Sequence, residues 1–69
     1  MGIKEDKMVG FRTKTGTIYY VNQMTKQFQG GKFKNPQTYV SLQAVIGTPA
    51  IIQLTDGRVV KTSPVEAYI

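Results

Sequence analysis

Neither cysteine nor histidine occurs among the 69 residues of this chain. The missing thiols exclude disulfides, and the two absences together leave only oxygen atoms as ligands for any metal ion. Acidic residues are scarce as well: there are four, and none lies between Asp6 and Asp56. General acid–base chemistry at neutral pH draws mainly on histidine or on paired carboxylates. Serine and threonine are present, but with no histidine to activate them. The sequence therefore predicts a protein that is not an enzyme and uses no cofactor. No stretch approaches the roughly 20 consecutive apolar residues of a membrane-spanning helix. Met1 to Lys7 is polar and charged, without an apolar leader core. The expectation is a cytoplasmic protein with no membrane partner, in which residues 1–7 form a flexible tail on a single small domain; the lack of cysteine agrees with a reducing compartment.

Small size sets a second limit. A domain of about 60 residues buries only roughly 60% of the surface its unfolded chain exposes, and one core of this size rarely supplies more than about 3–5 kcal/mol. With disulfides and thiolate metal sites ruled out, self-association into a homo-oligomer is the expected supplement.

What the chain does have is charge of one sign. Nine lysines and arginines give a formal net charge of +5. Lys7, Arg12, Lys14, Lys26, Lys32 and Lys34 all fall in the stretch without acids, interleaved with Tyr19, Phe28 and Phe33. A summed positive field concentrates anions and speeds their encounter, which points to an anionic partner: nucleic acid, a nucleotide or an acidic protein surface.

The local patterns are those of strands. Asp56-Gly57 joins two β-branched runs, Ala50 to Thr55 and Arg58 to Thr62, and Asp-Gly favours the tight turns that match antiparallel twist. Alternation puts Ala50, Ile52 and Leu54 on one face with Val60 across from them, and Ile51 and Val59 on the other. Those two apolar residues predict that the second face is covered by a folded-over strand or another subunit. A second hairpin is predicted from Met8–Thr13 to Thr17–Asn22, with Gly10 at a bulge or bend. There Ile18 and Tyr20 share one face, Tyr19 and Val21 the other. Residues 37–46 fit a strand better than a helix, because Val40, Leu42 and Ala44 alternate and Thr38, Val40, Val45 and Ile46 are β-branched. Gly47-Thr48-Pro49 turns the chain, and Ser63-Pro64 is expected to break the last strand. The fold class expected is all-β: a small five- or six-stranded, mostly antiparallel barrel of the SH3-like or OB-like sort.

Residues 22–36 lack sustained periodicity and read as a long loop, shortened at most by a strand or helical turn near Gln27. Long loops tend to be functional. Within this one, Lys26, Phe28, Lys32, Phe33 and Lys34 join cations and aromatic faces on a glycine-rich backbone, a combination that grips phosphates and stacks bases. The alternative is that the phenylalanines enlarge a small core. Tyr19 and Tyr20 must face opposite ways, so one of them, with Arg12 or Lys14 across the hairpin, would form a binding platform or a subunit contact. Arg58, Lys61, Thr62 and Ser63 make a second candidate edge for an anion, Arg58 through paired hydrogen bonds; the alternative is that the two cations guard an edge strand against aggregation.

The run Leu54-Thr-Asp-Gly-Arg-Val-Val-Lys-Thr-Ser-Pro-Val65 resembles the closing segment of small uncharacterised phage and prophage proteins, in which an Asp-Gly-Arg hairpin precedes Thr-Ser-Pro-Val. The resemblance covers about a sixth of the chain and transfers no site residue. It implies a phage-encoded accessory protein in the host cytoplasm, acting on a host factor or a host-made signal. The function expected is binding, with possible sequestration, of a nucleic acid or small nucleotide through Arg12, Lys14, Tyr19, Lys26, Phe28, Lys32, Phe33, Lys34 and Arg58. The alternative is a protein inhibitor that presses its basic surface on a host factor.

Overall fold

The computed structural model describes residues 8–69, and the tail expected at 1–7 lies outside them. Six strands follow in chain order: β1 Gly10–Thr13, β2 Ile18–Asn22, β3 Gln27–Gly30, β4 Phe33–Gln43, β5 Pro49–Leu54 and β6 Val59–Tyr68. Each pairs antiparallel with the next, and β6 returns to β1, closing an up-and-down barrel. Closure removes the free edges that a sheet this small would otherwise expose. No described residue lies in a helix, so no helix is long and apolar enough to cross a membrane.

Two long strands make closure possible by changing partners along their length. The start of β4 pairs with β3, and from Tyr39 onward β4 pairs with β5. Likewise β6 pairs with β5 from Val59 to Pro64, across one register slip, and with β1 from Val65 to Tyr68. The expected break at Ser63-Pro64 is therefore a bend inside a continuous strand. Pro64 has no N–H to give, and its carbonyl accepts from the Lys14 backbone N–H at 3.0 Å. Across the same bend the β5–β6 register slips between Pro49 and Ile51. Buried Thr62 repairs the slip: its Oγ1 accepts from Ala50 N at 3.1 Å and donates to the Ser63 carbonyl at 2.8 Å.

The segment expected as a long loop is mostly sheet. β3 and the start of β4 occupy it, leaving a turn at 23–26 and a tighter one at Gly31-Lys32. Asn22 Oδ1 organises the first turn by accepting from Met24 N and Thr25 N, and Lys26 completes it at φ 59°, a left-handed conformation usually left to glycine or asparagine. In the second, Gly30 and Gly31 both have positive φ.

Phe11, Phe28, Ile52 and Val65 fill the interior with almost no exposure, beside Val21, Tyr39, Ala44, Ala50 and Leu54. The hairpin faces follow the alternation: Ala50, Ile52 and Leu54 point in, Ile52 pairs with Val60, and Ile51 and Val59 point out. No described strand folds over that outer face, where Val59 is 62% exposed. Gly10 marks a close approach, since a Cβ there would lie 2.4 Å from the Tyr19 carbonyl oxygen.

Because β4 and β6 each carry two successive pairings, the connections do not sort into two ends. The β2–β3 and β5–β6 turns come together beside Thr38 and Tyr39, where Tyr39 N donates to the Lys26 carbonyl and Leu54 pairs with Tyr39. The β1–β2 turn and the β4–β5 connection come together beside Pro64 and Val65, where Lys14 N donates to Pro64 O and Gly47 N to Val65 O. The Tyr68 hydroxyl donates to the Ala44 carbonyl at 2.5 Å.

Candidate functional site

A cleft of about 890 Å³ lies between the ends of the β1–β2 and β3–β4 turns and the first half of β6. Lys32 reaches it from the β3–β4 turn, Arg58 and Lys61 from the β5–β6 hairpin, and Thr17 from the end of the β1–β2 turn. Its aromatic wall is Tyr19 and Phe33, with Val59, Val60, Thr62 and Ser63 opposite. Residues 59–63 precede the stretch of β6 that pairs with β1, so this part of the strand borders the opening.

Both aromatic side chains are half-buried and held from behind. Tyr19 stacks on Phe11 with ring centroids 5.2 Å apart, and Phe33 meets Phe28 edge-on at 5.3 Å. Lys32 Nζ stands 5.7 Å from the Phe33 ring centre, within cation–π range. Gly31 lets the β3–β4 turn lie close to Tyr19, because a Cβ at that position would come within 2.9 Å of the tyrosine hydroxyl.

The local charge is partly counterbalanced by one carboxylate. Asp56 accepts from Arg58 N at 3.0 Å and from Arg58 Nε at 2.8 Å. The Arg58 backbone N–H, helped by the guanidinium, holds the Asp56 carboxyl below the usual carboxylate range. Outside the cleft Arg12 is paired with Glu66 at 3.1 Å. Among the described residues Lys14, Lys26, Lys32, Lys34 and Lys61 form no ion pair. No three acidic or other metal-ligating side chains come together among the described residues.

Of the nine candidate residues, the cleft brings together Tyr19, Lys32, Phe33 and Arg58. Lys14 sits on the neighbouring β1–β2 turn. The other four lie elsewhere. Phe28 is a correction: at 1% exposure it belongs to the core, because it alternates inward on β3 and packs against Phe33 and Tyr39. Lys26 occupies the β2–β3 turn, outside the cleft lining, and Lys34 lies where β4 carries extra residues opposite β3. Arg12 is on the outer wall, where its Nε is bonded to Glu66. The outward tyrosine is Tyr20, 56% exposed, whereas Tyr19 turns toward the cleft.

Lys61, Thr62 and Ser63, the second candidate edge, join the same cleft. Thr17 is an addition that composition did not suggest; it lies at the end of the β1–β2 turn, beside Gly31 of the β3–β4 turn. Comparisons of the chain with models of protein families, with curated proteins and with solved structures find no match.

Proposed function

We propose that this protein is a non-catalytic binding protein that holds an anionic partner, a nucleotide or nucleic acid, in the cleft beside the first half of β6. The observation that carries this reading is the meeting of Lys32, Arg58 and Lys61, from two different hairpins, around the wall formed by Tyr19 and Phe33. Ammonium and guanidinium groups supply the donors for phosphate, and the half-buried rings supply a face for a base. In keeping with the likeness of its closing segment, the protein acts as a phage-encoded accessory factor in the bacterial cytoplasm, sequestering its ligand from host use.

Charge reversal tests the reading. In a thermal-shift panel of nucleotides and oligonucleotides, at least one should stabilise the protein at low salt. The Lys32→Glu, Lys61→Glu double variant should lose that stabilisation while keeping the cooperative melt of the unliganded protein. An equal ligand shift in the double variant would move the site elsewhere.

A second reading, an inhibitor of a host protein, is favoured by Val59 and Ile51 exposed on the outer face beside Lys61. The same apolar residues offer a contact for a homo-oligomer, which a small core with no covalent staple would favour. Light scattering that gives a mass above one chain, reduced to one chain by Val59→Glu, checks the oligomer.

A further inference from the structure

We infer that the ligand of the cleft is a compact nucleoside polyphosphate, its phosphates among Lys32, Arg58 and Lys61 and its base on Tyr19 and Phe33; this rests on the anion-binding reading above. The outer surface argues against an extended strand. A single-stranded polymer is gripped by a positively charged groove that follows its backbone for several nucleotides. Here the free cations outside the cleft sit on or next to turns and do not run along the outer strand faces. Lys14 is on the β1–β2 turn, Lys26 on the β2–β3 turn and Lys34 at the start of β4, while Arg12 on the outer wall is paired with Glu66. The outer face of β2 and β3 carries Tyr20, Asn22, Gln27 and Gln29, and that of the β4–β5 pair carries Ser41, Gln43, Ile51 and Gln53, all uncharged.

Inside the cleft the chemistry is concentrated and built in advance. Lys32 and Lys61 each bring three rotatable N–H donors with no ion pair among the described residues. The Arg58 Nε is taken by Asp56, leaving its terminal N–H groups for a phosphate oxygen. Because Phe11 and Phe28 back the two rings, little side-chain freedom remains to be lost when a base packs on them. A volume of about 890 Å³ falls in the range of small-ligand sites, roughly 300–1,000 Å³. The hydroxyls of Thr17 and Ser63 complete the lining with neutral hydrogen-bonding groups suited to a ribose.

Calorimetric titration of the full chain with ATP, with inorganic tripolyphosphate and with thymidine oligonucleotides of increasing length tests this. ATP should bind, and Phe33→Leu, which keeps an apolar group against Phe28, should weaken ATP by about tenfold while leaving tripolyphosphate unchanged. Lys32→Gln should weaken both, and Lys26→Gln should weaken neither. Tripolyphosphate binding as tightly as ATP would overturn the role of the base. Oligonucleotide affinity that grows with length and passes that of ATP would overturn the compact ligand while leaving anion binding standing. No heat with any of these ligands, together with no thermal shift, would overturn both.

Discussion

At the residue scale, Thr62 and Asp56 each serve the structure and the cleft at once. Thr62 stands where the β5–β6 register slips, and its hydroxyl replaces the strand carbonyl that Ala50 N lacks. Thr62→Val keeps the shape but leaves that buried N–H unpartnered, so it should destabilise the fold by about 1–3 kcal/mol in urea unfolding; Thr62→Ser should retain most of the stability. Asp56 fixes the β5–β6 turn by accepting the Arg58 N–H, and its carboxylate, bonded to Arg58 Nε, also offsets part of the positive charge offered to a ligand. Asp56→Asn keeps an oxygen for the N–H and removes the charge, so anion affinity should rise several-fold, most at low salt. Since the folded carboxyl is held below its usual range, the pairing contributes stability above the unfolded carboxylate pKa. That contribution disappears as pH falls through the lowered value. Melting temperature should therefore be insensitive to this group between about pH 6 and 8.

The elements differ in how openly the sequence declared them. Asp56-Gly57 and the alternation of Ala50, Ile52 and Leu54 specify the last hairpin by local chemistry, and the aromatic and β-branched run Ile18–Val21 does the same for β2. β3 and the start of β4 were not legible. Gln27-Phe-Gln-Gly30 and Lys34-Asn-Pro-Gln37 contain no β-branched residue, and their strand conformation comes from pairing with β2 and with each other. The turn between β2 and β3 was hidden for a related reason, because a lysine fills the left-handed position where a glycine would have signalled it. Lys26→Gly should relieve that conformation and stabilise the protein by up to about 1 kcal/mol, measured by urea unfolding. Anion binding should be unchanged, because neither Lys26 nor its turn lines the cleft. At Ser63-Pro64 a proline in a strand suggested a break, but the carbonyl side of the ladder remained available and the chain bent instead.

Across the whole molecule, closure turns a one-sign sequence into a localised site. The cations are spread along the chain from Arg12 to Lys61, and most of the candidate list could be read from that spacing. Which of them meet could not, since it depends on where the two long strands change partners to close the sheet. The most direct check of the cationic cleft is a residue-resolved titration of backbone amide resonances with ATP. Saturable shifts should gather at Thr17, Tyr19, Lys32, Phe33 and Arg58 to Ser63, with Lys26 and its turn still. Shifts confined to the outer wall around Arg12 and Tyr20, or none at any concentration, would contradict the account.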